Sequence, residues 1–155
     1  MSAAHPETLL VTLTGRDRPG VTATLLATLA QAGVEVLDVE QVILRRRLIL
    51  GVLVTVPTQD GALEERIQQS AAELGMQVEL ERGTGDNSSR PSGRSHVTLI
   101  GAPLLATAMA DITARIAESG ANIDRIERMA RYPVTAIELH VSGADPEVLR
   151  TTLAE

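Results

Sequence analysis

The chain has 155 residues, a formal net charge of −6, no cysteine, and Tyr132 as its one aromatic residue. The missing cysteines exclude disulfides and thiolate chemistry, so the cytoplasm is the expected compartment. The acidic balance and the lack of stacking side chains argue against a nucleic-acid partner. We also expect no membrane partner, since no apolar run could span a bilayer and the N-terminus lacks a signal-peptide pattern.

The first half of the chain alternates between strand-like and helix-like patterns. Apolar and polar residues alternate over Thr8–Thr14, which predicts a half-buried strand. After the turn that ends in Pro19-Gly20, leucines at helical spacing predict a helix over Val21–Gln31, and Gly33 ends it. The remaining predicted elements are strands over Val34–Leu44 and Leu48–Val56, a helix over Gly61–Leu74 and a strand over Met76–Leu80.

This β-α-β-β-α-β order is the split βαβ pattern of an α+β, ferredoxin-like domain, with an antiparallel sheet and its helices on one face. A polar, Gly- and Ser-rich stretch over residues 83–95 predicts a linker. The spacing from Gly15 to Gly33 then nearly recurs from Gly101 to Gly120, which indicates a repeat. We therefore predict a first domain over residues 1–82 and a second over residues 96–155.

The second domain is expected to stop one strand short. Its predicted elements are strands over His96–Ile100, Asn122–Met129 and Val134–Val141, and helices over Leu104–Glu118 and Pro146–Leu153, the last capped by Asp145. A missing fourth strand would leave unpaired backbone at a sheet edge. Either that strand is supplied elsewhere or the chain is cut from a longer protein, and we favour the cut.

The first candidate site is the loop that runs from Gly15 into the helix at Val21. Free N–H groups at a helix start attract an anion such as an α-carboxylate. Asp17 could pair with an α-ammonium group, and Gly20 would let a ligand approach the backbone. Alternatively, Asp17 only offsets the helix dipole and Pro19-Gly20 is only a turn.

Polar residues follow each of the two repeated glycines. Glu35 and Asp38 come after Gly33, and we expect Glu35 to lie beside the Gly15 loop, where it could hold an ammonium group. Asn122 and Asp124 take the equivalent places in the second copy, and an amide can both donate and accept hydrogen bonds. These residues could equally be solvated polar side chains of edge strands.

The arginine run and the histidines are interpreted as structural or surface residues. The run Arg45-Arg46-Arg47 is interpreted as a solvated hairpin tip, with phosphate binding as an alternative. His5, His96 and His140 are far apart in the sequence and lack metal-ligand spacing, so we predict no metal site. No catalytic motif is present.

The loop Asp17-Arg18-Pro19-Gly20-Val21 and the segment Gly33-Val34-Glu35-Val36 resemble the ligand loop of ACT domains, which sense amino acids. Taken in order with Leu50-Gly51-Val52, Gly120-Ala121-Asn122-Ile123-Asp124 and Tyr132-Pro133-Val134, they resemble the N-terminal region of bacterial phosphoserine phosphatases that carry two ACT domains. The resemblance covers nearly the whole chain.

This resemblance implies a regulatory module that binds serine at interfaces between ACT domains, forms a homodimer and controls an attached phosphatase. The implied ligand residues are Asp17, Arg18, Pro19, Gly20, Val21, Glu35 and Asp38 in the first copy, and Gly101, Asn122, Ile123 and Asp124 in the second. The chain itself is expected to be no enzyme and to need no cofactor, since Mg²⁺ would belong to the phosphatase domain. The alternative function is a free-standing two-ACT regulator that acts through protein contacts.

Overall fold

A computed structural model describes residues 6–57, 61–85 and 93–155 of the chain. The chain forms two compact units, Met1–Ser88 and Ser89–Glu155, each with an antiparallel sheet and two helices. No helix in the described ranges is both long and apolar enough to cross a membrane.

The first unit contains the complete split βαβ order. Its elements are β1 (Glu7–Arg16), α1 (Val21–Gln31), β2 (Val36–Leu44), β3 (Arg47–Thr55), α2 (Leu63–Glu73) and β4 (Gln77–Thr84). The strand order is β2-β3-β1-β4, and every neighbouring pair is antiparallel. β1 and β3 are therefore central, and β2 and β4 are the edges.

Alternation along the central strands fills the core of the first unit. Leu9, Val11 and Leu13 of β1 are at most 1% exposed, as the strand pattern predicts. Even-numbered residues of β3 from Leu48 to Val54 are buried on the same face, where α1 and α2 supply Leu25, Leu29 and Ile67. The opposite face of the sheet carries the more exposed side chains.

Within the described residues, the second unit repeats the order with one strand fewer. Its elements are β5 (Ser95–Gly101), α3 (Ala106–Glu118), β6 (Asn122–Ala130), β7 (Thr135–Ser142) and α4 (Pro146–Ala154). The strand order is β5-β7-β6. Among the described residues β5 pairs with β7 alone, whereas β1, its counterpart, lies between two partners.

Several predicted boundaries differ from the structure. β4 continues to Thr84 because its backbone pairs with β1 as far as Glu7, and β5 begins at Ser95. Both strands therefore extend into the predicted linker 83–95, of which residues 86–92 lie outside the described part of the chain. β2 begins at Val36 and not at Val34. The helix over Val21–Gln31 and the cap at Asp145 are as predicted.

Candidate functional site

The loop between β1 and α1 presents an open helix N-terminus. Gly20 is the N-cap residue of α1 and has a φ of 93°, a left-handed conformation that glycine adopts without strain. No described side chain caps this end, and the first turn holds no acidic residue. No acidic side chain of the first turn of α1 therefore offsets the positive end of its dipole. The anion-binding interpretation requires such an open, positive helix end.

Two neighbours fix the position of this loop. The backbone N–H of Asp17 donates a hydrogen bond to the carbonyl oxygen of Arg46 at 2.8 Å, so the loop lies against the β2–β3 hairpin. The Arg18 guanidinium donates to the carbonyl oxygen of Leu74, the C-cap residue of α2. A cation there offsets the negative end of the α2 dipole, which gives Arg18 a structural contact beside its predicted role in ligand binding.

Glu35 and Asp38 lie at the start of β2. The Glu35 N–H donates to Thr55 Oγ1 at 3.0 Å, and its carbonyl oxygen accepts from the Thr55 N–H at 3.0 Å. Asp38 follows a register shift in the β2–β3 ladder, and its Oδ1 accepts from the Val39 N–H at 2.8 Å. Both contacts anchor backbone, and they place the two carboxylates at the Thr55 end of the sheet.

The expectation that Glu35 lies beside the Gly15 loop is wrong. In the ladders, Arg16 pairs with Arg47 while Thr8 pairs with Thr55, so the Asp17 loop and Glu35 lie at opposite ends of the sheet. At about 3.3 Å per residue, these ends are roughly 25 Å apart. The physical reason is the crossover through α1, which returns the chain to the level where β1 began before β2 starts.

The outer face of the first sheet has a shallow depression of about 360 Å³. Its lining residues are Leu10, Asp38, Val39, Glu40, Gly51, Leu53 and Gly85. Asp38 contributes to this depression and Asp17 does not, so the two predicted ligand residues share no cavity there.

The second unit separates its predicted site residues in the same way. Gly101 pairs with Thr135 at one end of the sheet, and Asn122 pairs with Ser142 at the other. The loop after Gly101 is tight, because a Cβ on this residue would lie 2.9 Å from the Leu104 Cα.

Asn122 is engaged by its own strand. Its Nδ2 donates to Asp124 Oδ1 at 2.7 Å and to the Ile123 carbonyl oxygen at 3.2 Å. The Asn122 side chain, the Ile123 carbonyl and the Asp124 carboxylate therefore form one hydrogen-bonded group at the start of β6, and Gly101 lies at the other end of the sheet.

A groove of about 420 Å³ lies between β5 and α4. Its lining residues are Ser95, His96, Val97, Thr98, Pro146, Leu149, Arg150 and Leu153. In the first unit, the corresponding edge of β1 is occupied by β4. The groove therefore lies where the first unit has its fourth strand.

A three-residue ion-pair network ties the first sheet to α2. Arg82 of β4 contacts Glu64 of α2 and, at 2.8 Å, Glu7 of β1. The hydrogen bonds that the Arg82 guanidinium donates to Glu64 and, to a lesser extent, to Glu7 raise the pKa of Arg82 above its ordinary value. All three side chains are substantially exposed, so the network is a structural surface feature.

Sequence reasoning missed one cluster. His96 and His140, treated there as unrelated, are register partners on β5 and β7, with ring centroids 4.4 Å apart. Glu138 lies beside both rings. The alternation along β5 and β7 indicates that each histidine lies on the outer face of the sheet. The pairing of the two histidines depends on the register between the strands, which the sequence pattern does not give.

Sequence comparison places both units in one family. ACT-domain profiles match residues 7–81 and residues 94–155. The chain belongs to the ACT-domain family. Its two ACT units correspond to the two ferredoxin-like units of the structure.

Relatives extend beyond the ACT region. The chain is 53% identical over 149 residues to a phosphoserine phosphatase from Streptomyces coelicolor, covering 95% of this chain and 36% of the relative. It is 42% identical over 137 residues to phosphoserine phosphatase SerB2 from Mycobacterium tuberculosis, covering 86% of this chain and 34% of that protein. The chain thus spans about a third of the length of these curated relatives.

The fold also recurs in solved structures. The crystal structure of an unknown protein from Galdieria sulphuraria superposes with a TM-score of 0.76 at 22% identity, covering 96% of this chain and 90% of that one. At this identity the similarity concerns the fold alone.

Proposed function

We propose that this ACT pair binds a small amino acid, L-serine, at an interface between two copies of the chain. Family membership supports a regulatory amino-acid-binding role. The observation that carries the proposed geometry is that both halves of the predicted site lie at the ends of one edge strand, β2. Glu35 and Asp38 are at its start, and the Asp17 loop contacts the hairpin at its end.

β2 has the character of an interface strand. Among the described residues it pairs with β3 alone, so its other edge is open. Its side chains include five apolar residues that are 45–61% exposed: Val36, Val39, Val42, Ile43 and Leu44. An open edge with this much exposed apolar surface favours pairing with another strand.

Antiparallel pairing of two β2 strands would assemble the site. The start of β2 in one copy would then be level with its end in the other, next to the loop that holds Asp17. The acidic residue Glu35 of one copy would also approach Arg45 and Arg46 of the other, which is a complementary pairing of charge. Such a two-fold arrangement creates two equivalent sites.

The chemistry fits a zwitterion. The ligand's carboxylate would meet the open N-terminus of α1 at Gly20 and Val21, and its ammonium would meet Asp17 or the Glu35 carboxylate of the other copy. Serine is the amino acid that a phosphoserine phosphatase releases, so serine binding would give feedback in a longer parent with that activity. Ligand binding shifts such an enzyme only through a difference in affinity between two states, typically about 1–3 kcal/mol.

A mixing experiment tests the proposed shared site. Asp17→Asn and Glu35→Gln are each expected to weaken L-serine binding by titration calorimetry. In a heterodimer of the two variants, one site keeps both wild-type residues, so the co-refolded mixture should recover about a quarter of the wild-type sites. Gly20→Val should weaken binding without complementing Asp17→Asn, since both changes affect the same loop.

The outcomes are distinct. Unchanged serine affinity in all three variants would reject the assigned residues. Weakened affinity without recovery on mixing would reject the shared site and leave each site within one copy. A panel with glycine, alanine and threonine tests the choice of serine.

Self-association is tested at β2. Val42→Lys is expected to shift the chain towards monomer in sedimentation velocity and to weaken serine binding with it. Val148→Lys is the matched control, because Val148 is also a valine of comparable exposure, 51% against 46% for Val42, and belongs to α4 of the second unit and not to β2. Equal dissociation in both variants would contradict an interface along β2.

A further inference from the structure

The outer face of the second sheet gathers two imidazoles and two carboxylates from three adjacent strands. On β7, Leu139 and Val141 are buried towards the helices, so Glu138 and His140 point to the opposite face. His96 of β5 is the register partner of His140, and Glu127 of β6 is the register partner of Glu138.

The atoms of this cluster that could bind a metal ion are close together. His96 Nδ1 and His140 Nε2 each lie 3.2 Å from Glu138 Oε1, and these three atoms lie within 4.8 Å of one another. Glu127 Oε2 is 3.4 Å from His140 Nε2. Ligand atoms about 2.0–2.1 Å from a tetrahedral zinc ion are separated by about 3.3 Å, so the two spacings of 3.2 Å to Glu138 Oε1 match a shared ion.

One member of the cluster lacks a satisfactory partner in the structure. His140 Nε2 is shielded from solvent, and no described residue makes a hydrogen bond of good geometry with it, although two carboxylates are nearby. A buried polar atom in this condition destabilises a fold. A bond to a metal ion would satisfy it.

We infer that His96, Glu138 and His140 form a divalent metal site, with Zn²⁺ as the preferred ion and Glu127 within reach as a fourth ligand. Imidazole and carboxylate ligands without sulfur suit Zn²⁺ and its first-row neighbours. The Glu127 carboxylate is already oriented, since Arg125 Nη2 contacts its Oε1 at 2.5 Å and leaves Oε2 towards His140. The ion would hold β5, β7 and β6 together, which are the three strands of this sheet in the described part of the chain.

Metal titration of the whole metal-free chain tests this inference. Calorimetry with Zn²⁺ should show one site per chain, and Co²⁺ should give the visible d–d absorption of a tetrahedral site and be displaced by Zn²⁺. His96→Ala and His140→Ala should each weaken Zn²⁺ affinity by at least about tenfold. Bound Zn²⁺ should also raise the Tm of the wild-type chain and not that of His140→Ala.

Two matched controls locate the ion. His5→Ala removes the third histidine of the chain and should leave the affinity unchanged. Glu147→Gln removes a carboxylate whose side chain is 76% exposed and lies outside the cluster, and it should also leave the affinity unchanged. His96→Ala is the variant least expected to disturb folding, since that side chain is 59% exposed, and far-UV circular dichroism checks this.

The results that overturn the site are specific. Absence of Zn²⁺ binding by the wild-type chain would do so, as would unchanged affinity in folded His96→Ala. Loss of binding in His5→Ala would place the ion elsewhere and reject the assignment. Because none of the four residues belongs to the proposed serine site, failure of one proposal leaves the other standing.

Discussion

The Asp17 backbone N–H and the Arg46 carbonyl oxygen are joined by a hydrogen bond of 2.8 Å, which fastens the β1–α1 loop to the β2–β3 hairpin. The loop therefore shares one end of the sheet with a cluster of arginines, while Glu35 lies at the other end beside Thr55. One ligand therefore cannot contact both the Asp17 loop and Glu35 of the same first unit. The proposed antiparallel pairing of two copies would bring these two groups together.

The hairpin itself is strained. Arg45 and Arg46 have φ values of 47° and 64°, in the left-handed region that Asn and Gly tolerate far better in two-residue hairpins. The double variant Arg45→Asn, Arg46→Gly should raise the free energy of unfolding by about 1 kcal/mol, as measured by urea titration. Arg45→Lys should change nothing. A lower free energy of unfolding in the double variant would show that the arginine side chains stabilise the hairpin by more than the left-handed backbone destabilises it.

Burial on the two faces of β3 predicts different responses to truncation. Leu50 is fully buried, whereas its neighbour Ile49 is 38% exposed on the other face. Leu50→Ala should lower the free energy of unfolding by about 2–5 kcal/mol, because it leaves a cavity beneath α1 and α2. Ile49→Ala should lower it by less than about 1 kcal/mol. Equal losses in chemical denaturation would contradict the assigned faces of the sheet.

The cap of α4 makes a separate prediction. Asp145 Oδ1 accepts from the Glu147 N–H at 2.8 Å and is 3.4 Å from the Val148 N. Asp145→Ala should destabilise α4 by about 1 kcal/mol, seen as faster hydrogen exchange of the α4 amides. Asp145→Ser retains a capping oxygen and should behave like the wild type. If hydrogen exchange of the α4 amides were as fast in Asp145→Ser as in Asp145→Ala, loss of the cap would not explain the destabilisation.

The open edge of β5 should be visible in hydrogen exchange. β1 is paired on both sides, so its amides should be protected throughout, whereas β5 pairs with β7 alone among the described residues. Amides of β5 should therefore alternate between slow and fast exchange along the strand. Uniform protection that disappears on dilution would instead show that another copy covers this edge.

The sequence alone determined the element order and the two-unit organisation. Alternation over β1 and helical spacing over α1 are local patterns, and a glycine or proline within a few residues marks where each element stops. The repeated glycine spacing likewise needs no tertiary information. These features could be predicted from the sequence because they depend on neighbours along the chain.

Only the tertiary structure decided which ends of the strands meet. The position of Glu35 just after Gly33 leads us to expect it beside the Asp17 loop. The crossover through α1 instead returns the chain to the end of the sheet opposite that loop. In the second unit, the register between β5 and β7 brings the rings of His96 and His140 to a centroid distance of 4.4 Å. Register between distant strands is set by the packing of whole faces, and no local pattern encodes it.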